Sequence, residues 1–191
     1  MLRRARERGA TLLTSLMLLI VLTVLALTAM QMSRMEERMA GNTRDTHAAF
    51  EGAEAALRNG EALLRAQLVR PTDCTAAPCP SECGAPPCPG TLPVWSAGVL
   101  GAVETRPPGW WDPSTGNALS FKDAGGTDSM TGQQVDPTLV IEHLGFVRTD
   151  GGVETGLDAP VGRDFYQITA HASGASGHAN AVLQSTYARK F

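Results

Sequence analysis

The sequence predicts an α+β protein in which a long N-terminal helix packs on a C-terminal antiparallel β-sheet. Three observations lead to this fold class: an uncharged apolar segment over residues 10–33, apolar residues at helical spacing from there to residue 70, and strand-like alternation in the last third of the chain. A helix and a sheet that each have one apolar face need a cover, so we expect the two faces to meet.

The apolar segment follows a short basic leader at residues 1–9. The leader carries four arginines and one acid, Glu7, and no charged residue stands between Arg8 and Arg34. A helix of roughly 24 residues spans about 36 Å, more than the roughly 30 Å of a hydrocarbon core. A secretory signal peptide has a shorter apolar region. We therefore predict a transmembrane helix over 10–33 whose arginine-rich end lies in the cytoplasm.

The helix is predicted to continue as an amphipathic half over residues 34–70. Apolar and small residues recur at steps of three, four or seven, as on one stripe of a helix. They are Met32, Met35, Met39, Thr46, Phe50, Ala53, Leu57, Leu64 and Leu68. Gly41, Gly52 and Gly60 each weaken this helix by about 1 kcal/mol relative to alanine. Pro71 marks its end.

A proline-rich loop with four cysteines is predicted over residues 71–93. Zinc sites usually have two close cysteine pairs a dozen or more residues apart, whereas these cysteines are separated by four, three and four residues. An oxidising compartment outside the cytoplasm also favours disulfides. We therefore predict no metal and two disulfides among Cys74, Cys79, Cys83 and Cys88, with all three pairings open.

A β-rich head domain is predicted over residues 94–191. Its first part, to residue 136, is rich in Gly, Pro and Trp, which indicates irregular structure with two short strands. We expect Trp95, Trp110 and Trp111 to fill a small core. The alternative is that Trp110 and Trp111 form a contact surface on an exposed "GWWDP" turn.

Three further strands are predicted to form an antiparallel meander. The first runs from Thr138 to Thr149, with a break in its alternation at Leu144–Gly145. The second and third each place one apolar set on a single face. These sets are Tyr166, Ile168, Ala170 and Ala172 in the second strand, and Ala181, Leu183 and Tyr187 in the third.

Composition and motifs argue against enzymatic and nucleic-acid-binding functions. Without the leader, 12 basic residues (16 minus four) and 18 acidic residues (19 minus one) remain, so the chain lacks the basic footprint of a nucleic-acid binder. No phosphate loop, nucleophile elbow or zinc-protease motif is present in the sequence. We therefore predict no catalytic residue, no cofactor and no metal.

Three stretches resemble the PilX group of type IV pilus minor pilins. They are "RGATLL" at the leader, "MEERMAGNTRDTHAAFEGAEAALRNGE" over residues 35–61, and "YQITAHASG" with "NAVLQSTYAR" in the last third. The resemblance covers about residues 6–65 and 164–189. It implies a type IV pilin fold and cleavage by prepilin peptidase between Gly9 and Ala10. Pilins usually have Phe as the first mature residue, where this chain has Ala10. The resemblance therefore leaves the extent of N-methylation at Ala10 open.

The resemblance also gives a meaning to Thr14, the fifth residue after the expected cut. Major pilins have Glu there, and its carboxylate neutralises the N-terminal ammonium of a neighbouring subunit. An ionised carboxylate in hydrocarbon costs about 3 kcal/mol or more, so that residue type serves a partner. Thr14 carries no charge, and its hydroxyl can bond to a helical carbonyl. This fits a subunit at the fibre tip, as for the K-type pseudopilins, which also lack the Glu.

The function implied by the resemblance is that of a minor pilin that initiates pilus assembly at or near the tip. Its partners would be other minor pilins, pilus subunits, prepilin peptidase and the inner membrane. The head would lie in the periplasm and later on the fibre outside the cell. The alternatives are a tip adhesin that uses the Trp/Cys-rich middle, a type II secretion pseudopilin, and a single-pass membrane sensor that keeps its leader.

Overall fold

The described part of the chain forms one long helix, a six-stranded sheet and short connecting turns. The computed structural model describes residues 2–75, 92–122, 130, 132–149 and 162–191, with the backbone alone for residues 2–10 and 108. Helix α1 covers Leu2–Ala66. The strands are β1 (Asp73–Cys74), β2 (Val94–Ser96), β3 (Leu119–Ser120), β4 (Thr138–Arg148), β5 (Gly162–Ser173) and β6 (Asn180–Arg189). Three short 3-10 turns, Val103–Thr105, Pro108–Trp111 and Pro113–Thr115, lie between β2 and β3. The predicted α+β class is confirmed.

The chain divides into two compact units, Met1–Arg44 and Asp45–Phe191. In the first unit α1 is the element described, and its side chains from Thr11 to Arg44 are exposed. The second unit contains the remainder of α1, from Asp45 to Ala66, together with the whole sheet. The predicted packing of a helix on a sheet is therefore found within the second unit.

The sheet is mixed, so the predicted antiparallel pairing holds for its C-terminal part and not for all of its strands. Its strand order is β1-β2-β4-β5-β6, with β3 paired to β4 beside β2. The predicted meander β4–β5–β6 is antiparallel. However, β1 pairs with β2 and β2 with β4 in parallel. Parallel neighbours need a long connection between them, and the predicted cysteine-rich loop between β1 and β2 supplies that length.

The break in alternation predicted in the first long strand is a β-bulge in β4. The register with β5 shifts between His143 and Gly145. Gly145 has a φ of 140°, which a residue with a side chain rarely adopts. The bulge lets β4 change the face that its side chains present and still pair with β5 along its whole length.

The main core lies between α1 and one face of the sheet. The strand sets predicted to share a face do so: Tyr166, Ile168, Ala170 and Ala172 are buried in this core, and Ala181, Leu183 and Tyr187 pack against it. The predicted helix stripe is confirmed in part: Ala53 and Leu64 are buried and Leu57 packs against the core. Phe50 is 48% exposed, and Leu68, beyond the end of the helix, is 91% exposed. The buried helix residues are mostly small: Ala49, Gly52, Ala53, Ala56, Gly60 and Leu64.

Small residues are buried on α1 because the helix lies close to the sheet. A Cβ built on Gly60 would lie 2.8 Å from Ile168 Cγ2, nearer than carbon atoms normally pack. Close packing therefore explains why a glycine stands at position 60 of the helix, although helix propensity disfavours it. Among the larger residues of the predicted stripe, Leu64 is buried, whereas Phe50 is 48% exposed.

Helix α1 ends at Ala66, four residues before the predicted end at residue 70. The last carbonyls of a helix have no partner within it. Here the Arg189 guanidinium of β6 donates to the Leu64 and Gln67 carbonyl oxygens. The end of α1 is thus capped by a residue 125 positions from Leu64.

Candidate functional sites

The first candidate site is the apolar part of α1. In the described part of the chain, one helix is long and apolar enough to cross a membrane. Its leucines and methionines are more than half exposed, for example Leu13 at 64% and Met30 at 61%. A surface of this kind must be covered by lipid or by other helices.

Hydroxyl side chains within the apolar segment bond to the helix itself. Thr14 Oγ1 donates to the Thr11 carbonyl at 3.0 Å. Ser15 Oγ donates to the Leu12 carbonyl at 2.9 Å, and Thr23 Oγ1 to the Ile20 carbonyl at 2.8 Å. These polar groups therefore cost little in hydrocarbon. The predicted internal bond of the Thr14 hydroxyl is confirmed.

The second candidate site is the tryptophan cluster on the sheet face opposite α1. Trp95 and Trp111 are 2% and 5% exposed and pack with Val140. The Trp111 ring stacks on His171 with centroids 4.9 Å apart, and Trp110 meets Trp111 edge-on at 5.0 Å. The expected small core is confirmed for Trp95 and Trp111. Trp110 is half-buried, so its side chain keeps surface for the predicted contact role, whereas that of Trp111 is enclosed.

Burial has an electrostatic consequence at His171. The pKa of the His171 side chain is lowered because the surrounding protein disfavours the charged imidazolium, although a hydrogen bond with Asn180 opposes this effect. The neutral ring that stacks on Trp111 is thus the form that the fold prefers.

A buried ion pair, which the sequence reasoning did not find, lies beside the tryptophans. Arg106 Nη2 is 3.4 Å from Glu142 Oε2, and the two side chains are 2% and 9% exposed. Arg106 also donates to the Gly101 carbonyl at 3.1 Å, and its guanidinium lies 4.6 Å from the centre of the Trp110 ring. Charged residues are rarely buried. Arg106 and Glu142 are 36 residues apart in the chain, and no sequence pattern indicates that they pair.

A second polar cluster joins β1, β4 and β5. His143 is 6% exposed, with Nδ1 at 2.8 Å from Asp73 Oδ2 and Nε2 at 3.0 Å from Asp164 Oδ1. Arg70 Nε lies 3.4 Å from the same Asp164 oxygen. Each ring nitrogen faces a carboxylate, so this imidazole acts as a cross-link between strands. Beside it, burial and the Asp164 charge raise the pKa of Tyr166 to about 12.

The cysteine site is described at one residue. Cys74 in β1 is 6% exposed and is disulfide-bonded. Cys79, Cys83 and Cys88 lie outside the described residues. The pairing of the four cysteines therefore stays open. Among the described residues, no group of three or more His, Cys, Asp or Glu side chains is arranged to hold a metal ion.

The comparison with protein families shows to which family a chain with this helix and head belongs. The family described as PilX N-terminal matches residues 8–58, and the family described as type IV pilus assembly protein PilX C-terminal matches residues 60–189. The chain belongs to the PilX family. No curated protein and no solved structure matches it.

Membership of the PilX family makes this chain a minor pilin of type IV pilus assembly, which is a structural role. The apolar N-terminal helix is consistent with the membrane anchor of a pilin. The predicted family and fold are confirmed. The family match supports pilus assembly over the secretion and sensor alternatives.

The roles predicted for individual PilX positions stay predictions. Gly9 and Ala10 lie in the backbone of α1, and the structure describes no side chain there. Thr14 lies in the exposed apolar stretch with its hydroxyl bonded internally. Trp110 belongs to the second compact unit.

Proposed function

We propose that this PilX-family subunit initiates fibre assembly and occupies the tip of the pilus. The observation that carries the proposal is the neutral Thr14 within an apolar helix. Its hydroxyl is bonded to the Thr11 carbonyl at 3.0 Å and carries no charge for the N-terminal ammonium of a neighbour. A subunit without this charge pairing fits a position where one neighbour is missing.

The proposed maturation is a cut between Gly9 and Ala10 by prepilin peptidase. The four leader arginines would hold the N-terminal end at the cytoplasmic face of the inner membrane. The head would then lie in the periplasm and, after assembly, on the fibre outside the cell. Cleavage would leave an apolar helix beginning at Ala10 for packing against other subunits.

The proposed mechanism is non-covalent and needs neither catalytic residue nor cofactor. Exposed leucines and methionines of α1 would pack against the helices of other minor pilins, replacing lipid contacts with helix–helix contacts. A substitution in this surface would cost most if it introduced an ionised side chain, since the surroundings are mainly apolar.

Two substitutions at Thr14 test the tip position. Thr14→Glu places a carboxylate where we propose no ammonium to be available, and Thr14→Val is the matched control that removes the hydroxyl without adding charge. We expect both variants to be cleaved normally. Thr14→Glu should reduce fibre number, counted by electron microscopy, while Thr14→Val should leave it unchanged.

The tip proposal fails if Thr14→Glu gives normal fibre numbers and immunogold labelling finds the subunit along the whole shaft. Processing is tested separately by mass spectrometry of the membrane fraction. We expect a mature N-terminus at Ala10 in the wild type and a retained leader in Gly9→Val. A wild-type N-terminus elsewhere would contradict the proposed cut.

A further inference from the structure

A cavity of about 320 Å³ lies on the sheet face opposite α1. Its floor is formed by Glu142, Gln167 and Gln184. Its rim is formed by Gly98, Gly101, Ala102, Val103, Glu104 and Arg106. Glu142 and Gln167 alternate along their strands with Ile141 and Ile168 of the main core, so they point to the other face. The volume is at the lower end of the roughly 300–1,000 Å³ range of small-molecule sites.

Three adjacent strands bring long polar side chains to this floor. Glu142 of β4 pairs directly with Gln167 of β5. Gln184 of β6 pairs with Thr169, two residues further along the same face of β5. The Gln184 carboxamide donates to Thr169 Oγ1 at 3.1 Å, which holds it against the sheet. The polar groups are therefore positioned by strands and not by a loop.

The charges around the cavity disfavour an anionic ligand, since the exposed Glu104 lines the rim and Glu142 lines the floor. Arg106 is paired with Glu142 at 3.4 Å and also donates to the Gly101 carbonyl. Its Nε and Nη1 atoms are buried without a hydrogen-bond partner, and the guanidinium lies 4.6 Å from the Trp110 ring centre and 5.6 Å from that of Trp111. The positive charge is thus compensated, and these two nitrogens are withheld from solvent.

The remaining groups suit a neutral ligand with several hydroxyls. Each glutamine carboxamide both donates and accepts hydrogen bonds, and the Glu142 carboxylate accepts them. A hydroxyl group also does both, so a sugar can match such a lining at several points. We propose that this cavity binds a sugar unit of a glycan. The inference does not depend on whether the subunit sits at the tip or along the shaft.

The test uses the full chain in micelles of a detergent without a sugar headgroup, such as lauryldimethylamine oxide. The probes are the methyl glycosides of glucose, galactose, mannose and N-acetylglucosamine. Sodium phosphate serves as the anionic comparison. Saturation-transfer NMR and tryptophan fluorescence report binding. We expect at least one glycoside to bind with a Kd of about 10 mM or lower, and phosphate not to compete with it.

Matched variants locate the binding. Gln167→Met and Gln184→Met keep side-chain length but remove the carboxamide, and each should weaken binding about tenfold or more. Thr186→Val is the control, because Thr186 pairs with Gln167 on the same sheet face but does not line the cavity. It should leave the affinity within about twofold. Thermal unfolding followed by circular dichroism shows that each variant is folded.

Several results would overturn the proposal. These are no binding by any of the four glycosides, displacement of a bound glycoside by phosphate, or an equal effect of Thr186→Val and Gln167→Met. A trisaccharide ending in the preferred sugar distinguishes a glycan from a free sugar. We expect it to bind at least as tightly as the methyl glycoside, and its exclusion would contradict the assignment to a glycan.

Discussion

The buried pair formed by Arg106 and Glu142 allows a quantitative prediction. Glu142→Gln removes the carboxylate charge and leaves an arginine side chain that is 2% exposed without its counter-charge. At a separation of 3.4 Å, the gross attraction is about 5 kcal/mol for an effective dielectric constant near 20. Breaking a buried pair from one side usually costs about 3–5 kcal/mol. Since domains have about 5–15 kcal/mol in total, we expect a large loss of stability.

The double variant Arg106→Met/Glu142→Leu separates this explanation from loss of packing. It removes both charges together, so no buried ion is left unpaired, and its stability should return to within about 1–2 kcal/mol of the wild type. The assay is urea unfolding of the full chain in micelles, followed by tryptophan fluorescence. Single substitutions that cost less than about 1 kcal/mol each, or additive effects in the double variant, would refute the reasoning.

Three further predictions concern the head domain. Gly60→Ala should lower the free energy of unfolding by about 1–2 kcal/mol although alanine favours helix, because its Cβ would overlap Ile168 Cγ2. Adding Ile168→Leu should recover part of the loss. A stabilised Gly60→Ala variant would contradict this packing. Because folding lowers the pKa of His171, the neutral His171 side chain stabilises the fold at pH values above its unfolded-state pKa near 6.5. This stabilisation is lost as the pH falls through the folded-state pKa. His171→Phe should therefore flatten the pH dependence of thermal unfolding below about pH 6.5, and an unchanged slope would contradict it. Alkylation of the native protein without reductant should label no cysteine, including Cys74. Reduction should lower the free energy of unfolding by about 2–3 kcal/mol per disulfide. Reactive thiols in the unreduced protein would contradict the prediction.

Properties that depend on neighbouring residues could be read from the sequence. The uncharged run after Arg8 predicts an apolar helix, since charge and length along one segment are enough to indicate it. Alternation in β5 and β6 identifies the faces that carry Tyr166 and Leu183. The break at Leu144–Gly145 locates the bulge, because a change of parity is itself a local pattern.

Only the tertiary structure decided which residues are buried where distant segments meet. Helical spacing selects Leu64, which is buried, but also Phe50, which is exposed. It does not identify Gly60, whose position against Ile168 leaves no room for a side chain. Glu142 lies 36 residues from Arg106, and the sequence pattern indicates only an acidic residue on the solvent-facing side of a strand. The physical reason is that burial, ion pairing and helix capping depend on the separation in space between segments, whereas periodicity and charge patterns report only the order of residues along the chain.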